Sequence, residues 1–312
     1  MAHIGTSDLE VFPLCFGGNV LGWTADVPTS EAILDAFTAG GGNFIDTADG
    51  YSQWAPGHSG GESETVIGNW MSRHGNRDNL VIATKVGFKT DRSGLRAENI
   101  RIACDESLQR LQTDHIDLYY CHFDDPETPL IETLSALAEL VQAGKVRYIA
   151  ASNYSAERLQ EALDVSDTHG LPRFVAMQPH YNLLERDVYE GALADICASE
   201  NISCLPYYSL AAGFLTGKYR TAEAVAGAAR ESRVNEYLND RAWRVLAAVD
   251  AVAAAHNTSN AAVALAWLRL RPTVVAPIAS VTKVAQVADL LASVQLDLAP
   301  EDLRMLADAS RQ

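Results

Sequence analysis

The 312-residue chain is 48% hydrophobic and 21% charged, close to average globular usage, so disordered and fibrous classes drop out and a good-sized core is allowed. With 24 basic residues against 40 acidic ones the net charge is −16. That excludes a general nucleic-acid partner, whose phosphate backbone is gripped by clustered Lys and Arg.

Short apolar runs alternate with amphipathic stretches along the whole chain. Strands are expected at Pro13–Gly18, Asn43–Ala48, Leu80–Val86, Ile116–His122, Tyr148–Ser152, Val175–Tyr181, Ile202–Ser209 and Val274–Ser280. These runs are nearly all apolar instead of alternating, as in parallel strands buried on both faces. A short hairpin over Ile4–Val11 precedes the first of them. Helical periodicity is read over Ser30–Ala39, which stops at Gly40-Gly41-Gly42, and then from Ile100 to Leu111 and Leu130 to Leu140. It continues from the Ser155 cap toward Gly170 and over Asp187–Ser199, Asp240–Ala255, Ser259–Leu270 and Thr282–Ala292. Eight strand–helix units without a composition break indicate a single domain, 1–312, built as a (β/α)8 TIM barrel with an N-terminal β-hairpin cap. The open doubly wound alternative lacks a G-x-G-x-x-G after any strand. Only Leu210–Asn239 departs from the alternation, giving a long loop after strand seven.

The N-terminus lacks a signal-peptide pattern, and no apolar run approaches the ~20 residues of a membrane span. The five cysteines, Cys15, Cys104, Cys121, Cys197 and Cys204, include no C-x-x-C pair and read as free thiols. A cytoplasmic protein without a membrane partner is expected, its oligomeric state left open. No H-e-x-x-H pattern is present and the eight histidines are scattered, so no metal is expected.

Barrel chemistry sits at the C-terminal ends of the strands. Those ends offer Asp46 and Tyr51 after strand two, Lys85 in strand three and His122 at the end of strand four. A buried ammonium demands an anionic partner, which Asp46 supplies, and a simple buried salt bridge would satisfy the pair equally well. Taken together the four make a proton donor: an ammonium beside a tyrosine stabilises its phenolate, and a histidine can hold a carbonyl oxygen. None of them is an obvious nucleophile, so electrons would have to come from a hydride cofactor.

The segments FIDTADGY, VIATKV and DLYYCHF resemble the signature segments of the aldo-keto reductase family. YIAASNYS, AMQPHYNLL, PYYSLAAGFLTGKY and VVAPIASVTKVAQVADLL follow in that family's order, so the likeness runs from about Leu9 to Leu306. The resemblance implies an NADP-dependent aldo-keto reductase that reduces a small-molecule aldehyde or ketone with NADPH, Tyr51 acting as general acid with Asp46, Lys85 and His122. NADPH (NADP+) is favoured over NADH. Ser152, Asn153 and Gln178 match the partners of the nicotinamide carboxamide, and Tyr207 matches the residue that stacks on the ring. Ser209, Leu210, Ala211, Gly213 and Lys218 match the diphosphate clasp. Ser280, Thr282, Gln286 and Asp289 match the adenosine end, where free N–H groups at the start of a helix would suit a phosphate. Arg220, Arg230 and Arg233 are candidates for the 2′-phosphate. Trp23, Trp54 and Phe123 are candidate substrate contacts, suited to an apolar or sugar-like carbonyl. The chain departs from the pattern at Ser52, where many relatives have Gly, and at Ser209, in the usual proline place. Two rival readings stand: a cofactor-binding sensor or regulatory subunit with little turnover, and a Schiff-base enzyme using the Lys85 amine.

Overall fold

The computed structural model describes residues 1–311. Eight parallel strands form one curled sheet: β1 (Cys15–Gly17), β2 (Phe44–Asp46), β3 (Val81–Val86), β4 (Ile116–Cys121), β5 (Val146–Ser152), β6 (Ala176–Gln178), β7 (Ser203–Cys204) and β8 (Ile278–Ala279). In space the order runs β7-β6-β5-β4-β3-β2-β1-β8. The two ends of this order also touch, since Cys204 N–H donates to the Thr273 carbonyl (2.8 Å) and Ile278 N–H to the Pro206 carbonyl (2.9 Å).

All eight strands fall inside or beside the apolar runs of the sequence. Every residue of β3 and β4 is buried, the mark of strands covered on both faces. Strands β6, β7 and β8 are shorter than their runs, because Pro179, Pro206 and Pro277 carry no N–H for the ladder. An antiparallel pair, Ala2–His3 with Glu10–Val11, precedes β1 and starts two residues earlier than the expected hairpin. Ile4, Leu9 and Val11 pack with Phe44, Leu118 and Ala276 in one cluster on the inner side of the sheet.

Among the described residues eleven α-helices cover the outside: α1 (Val27–Ala39), α2 (Glu62–His74), α3 (Ala97–Leu111), α4 (Leu130–Gln142), α5 (Ala156–His169), α6 (Ala192–Ser199), α7 (Glu231–Asn235), α8 (Asp240–Ala255), α9 (Asn260–Arg269), α10 (Val287–Gln295) and α11 (Pro300–Ser310). Caps place several of them where the sequence indicates. Ser155 accepts from the N–H of Arg158, and Ser259 from that of Ala262. None of the described helices is long and apolar enough to cross a membrane.

Helix α2 is absent from the sequence reading. It buries Val66, Ile67, Trp70 and Met71, but it also buries Ser63, Glu64 and Gly68, which blurs the apolar stripe. Gly68 has a packing reason: a Cβ there would lie 2.1 Å from the Arg110 carbonyl oxygen of α3. Gly68→Ala is therefore expected to push α2 off α3 and cost about 3 kcal/mol, read as a lower midpoint in urea unfolding.

Candidate active site

Because the strands are parallel, their C-terminal ends share one rim. Asp46 and Gln178 close β2 and β6, Ser152 closes β5, Lys85 is the last residue but one of β3, and His122 follows β4. The turn after β2 brings Tyr51 back over that rim.

Lys85 is fully buried, and its ammonium has three acceptors: Asp46 Oδ2 at 2.5 Å, the Thr47 carbonyl at 2.7 Å and the Tyr51 hydroxyl oxygen at 2.9 Å. An ammonium has three protons, so the group is fully used. Asp46, 1% exposed, also accepts from Gln178 Nε2 at 3.0 Å and from the Tyr51 hydroxyl at 3.3 Å. Desolvation pulls the Lys85 pKa down, and Asp46 opposes it. Burial, with Asp46 adding to it, raises the Tyr51 pKa well above the usual phenol value. The lowering by Lys85 expected from the sequence is thus outweighed, and Tyr51 is held protonated. His122 is pushed well below the usual imidazole value, first by burial and then by the Lys85 charge. It is neutral, lies 11° from coplanar with Phe123 at 4.9 Å, and meets the Tyr51 ring edge-on at 6.0 Å.

A cleft of about 900 Å³ opens above this cluster. Tyr51, His122, Ser152, Asn153, Gln178 and Tyr207 line its floor. Asn153 organises that floor, donating to the His122 carbonyl at 2.9 Å and accepting from the Tyr207 hydroxyl at 2.8 Å. Its φ of +58° is a left-handed conformation that asparagine tolerates.

One wall holds Ser209, Leu210, Gly213 and Lys218, and the far end holds Ser280, Thr282, Gln286 and Asp289. Two sequence expectations change here. Ala211 is fully buried behind the wall, and Ala212 lines the cleft in its place. Thr282 stands two residues before the first helical turn, a 3-10 turn at Val284–Gln286 that runs on into α10. The Gln286 side chain caps the segment itself, accepting from the N–H groups of Thr282 (3.1 Å) and Lys283 (3.2 Å), so those donors are not free. Of the three arginines, Arg220 lies outside the cleft and is clamped by Asp250 at 2.6 and 2.9 Å. Arg230 and Arg233 line it.

A model of the aldo/keto reductase family matches residues 13–311. The chain is 35% identical to Protein tas of Escherichia coli (strain K12), covering 96% of this chain and 94% of that protein. It is 33% identical to norsolorinic acid reductase B of Aspergillus parasiticus, over 97% and 82% of the two chains, and 32% identical to the uncharacterized oxidoreductase YrpG of Bacillus subtilis (strain 168), over 98% and 94%. The chain belongs to the aldo/keto reductase family.

At the opposite end of the cleft stand four aromatic side chains. Trp23 and Trp54 meet edge to face at 5.4 Å, and Phe88 and Phe123 lie 5.3 Å apart. Trp54, Phe88 and Phe123 are also the only exposed Trp, Tyr or Phe residues among those described. Phe88 escaped the sequence reading because it lies beyond the end of β3, in a two-residue ribbon with Arg92–Ser93. Asn19 was missed too, and it accepts from the Ser280 hydroxyl at 2.7 Å where the neighbouring strands β1 and β8 end in the cleft.

Proposed function

We propose that this oxidoreductase reduces an aldehyde or ketone to an alcohol with NADPH, Tyr51 giving the proton. The observation that carries the reading is the buried Asp46–Lys85–Tyr51 chain, which ends on a protonated hydroxyl at the floor of an open cleft. Bound NADPH would supply the hydride to the carbonyl carbon. Tyr51 donates its proton to the carbonyl oxygen, and the phenolate left behind is stabilised by the Lys85 ammonium 2.9 Å away. Asp46 holds that ammonium in place. Neutral His122 orients the carbonyl oxygen with a ring N–H. The Lys85 amine has no free proton position or exposure, which argues against Schiff-base chemistry.

Ser152, Asn153, Gln178 and Tyr207 would hold the nicotinamide; Ser209, Leu210, Gly213 and Lys218 the diphosphate; and Ser280, Thr282, Gln286 and Asp289 the adenosine end. Two observations favour an anionic cofactor on that wall. Ala211, Ala212 and Gly213 run consecutively at φ of +48°, +55° and +98°, a strained turn of the kind kept at ligand clamps. Arg230 is half-buried in the cleft and among the described residues has no carboxylate salt bridge, and burial lowers its pKa. Trp23, Trp54, Phe88 and Phe123 would receive the carbonyl compound. The sheet is read as a closed (β/α)8 barrel forming one domain, 1–312, with the hairpin as its floor. The five buried free thiols suit a cytoplasmic setting.

The test is loss of NADPH absorbance with an aromatic and a sugar-like aldehyde, together with titrations of NADPH and NADH. Turnover with tighter NADPH binding is expected. Arg230→Ala should weaken NADPH about 10- to 100-fold, the loss of one charge-assisted contact. Binding without turnover across a carbonyl panel would favour the sensor reading, and no NADPH binding would overturn the proposal.

A further inference from the structure

Asp49 stands two residues before Tyr51 and is 1% exposed, and among the described residues neither carboxyl oxygen has a side-chain donor or a salt bridge, the adjacent Gly50 N–H being the backbone group that relieves it. A buried carboxyl without a side-chain donor is uncommon and calls for an explanation. Its backbone ties two parts of the site together, because Asp49 N–H donates to the carbonyl of Lys85 at 3.2 Å. Its carboxyl feels the charges of a layer made by α2, α3 and the end of β3. There Glu64 of α2, fully buried, accepts from Thr84 Oγ1 at 2.5 Å and from Arg110 Nε of α3 at 2.7 Å. Thr84 leaves β3 on the face opposite Lys85, since strand side chains alternate.

We propose that Asp49 is a positioning residue that tunes the Lys85–Tyr51 proton donor from behind the sheet, acting by its charge. The inference rests on the reductase reading above. The charged and titratable groups facing Asp49 are Glu64 on α2, Arg110 on α3, Lys85 on β3, Lys89 and Arg92 beyond β3, and the Tyr119 hydroxyl on β4, which is itself buried without a partner. Desolvation first, and then the neighbouring Glu64 carboxylate, raise the Asp49 pKa to about 7. Below that value Asp49 is neutral. Above it, a negative charge stands behind Lys85 and cancels part of the ammonium's field at Tyr51. That field is what lets the phenol release its proton, so reduction slows as Asp49 ionises. Tyr51 and His122 do not titrate in this window, one being held well above its usual value and the other well below.

Stability follows the same ionisation. A carboxyl whose folded pKa lies above its unfolded one binds more protons in the native state between the two values. Stability therefore falls as pH rises from about 4 to about 7 and is level beyond, as far as this group is concerned.

The experiment compares wild type with Asp49→Asn, a neutral isostere that keeps the turn. kcat for NADPH-driven aldehyde reduction and Tm are measured from pH 5 to pH 9. Wild-type kcat is expected to fall about threefold around pH 7, with KM unchanged, while the variant shows no such step. The Tm of Asp49→Asn should exceed that of wild type at pH 8, with the gap shrinking toward pH 5. Glu64→Gln should move the kcat step to lower pH by removing the like charge. A kcat step retained in Asp49→Asn, or Tm curves that run parallel at every pH, overturns the proposal. Wild type without turnover at any pH overturns the reductase reading and with it the coupling, while the Tm comparison still reports the ionisation.

Discussion

Tyr51→Phe is expected to lower kcat for aldehyde reduction by about 10²- to 10⁴-fold, the range a positioned general acid contributes. The substitution removes one oxygen and keeps the ring. That ring packs edge-on against Trp54 at 6.1 Å and His122 at 6.0 Å, so the cleft should keep its shape. Lys85 retains Asp46 and the Thr47 carbonyl, and the buried ion pair persists. The dissociation constant for NADPH should therefore stay within about twofold, since the lost hydroxyl belongs to the proton path. Stopped-flow turnover and a fluorescence titration on the same preparation separate the two quantities. Substantial residual turnover would show that the proton comes from another group, with His122 the first to examine. A parallel loss of NADPH binding would instead place the hydroxyl among the cofactor contacts.

The fold was legible from sequence wherever burial acts on both faces of a strand. VIATKV and IDLYYC are largely apolar runs that tolerate Thr84, Lys85 and Asp117, and they became β3 and β4 nearly to the residue. The misses have physical causes. Helix α2 hid because its inner face carries Glu64, made acceptable by Arg110 and Thr84, and Gly68, required by the approach of α3. Such long-range partners leave no trace in local periodicity. Strand lengths were overestimated where prolines interrupt the ladder. The segment after β8 was read as a helix start because Ser and Thr precede an apolar stripe, yet Gln286 folds back to satisfy those amides itself. The Asp46–Lys85–Tyr51–His122 grouping was legible because strand ends in a parallel sheet share a rim. Asp49 was not, because its significance lies in being buried with no side-chain donor among the described residues, which only the three-dimensional packing reveals.

Lys85→Met should be the most destabilising change in the site, by about 3–5 kcal/mol, the usual cost of orphaning one member of a buried ion pair. Met matches the length of the lysine stem, so little cavity forms and the cost is electrostatic. Asp46 would keep Gln178 Nε2 at 3.0 Å and the Tyr51 hydroxyl at 3.3 Å as its only donors. Two neutral hydrogen bonds do not replace an ammonium around a carboxylate that is 1% exposed. Adding Asp46→Asn to Lys85→Met should recover a large part of the loss, because the remaining charge goes with it. The double variant should nevertheless stay inactive, with no ammonium left to stabilise the Tyr51 phenolate. Urea midpoints for the wild type, both single variants and the double variant give the coupling energy, and NADPH turnover on the same four proteins gives the catalytic side. Recovery of stability without recovery of turnover would assign the pair to chemistry and not to holding the fold together. If Lys85→Met were as stable as wild type, the pair would contribute no net stability, and its role would be confined to the proton path.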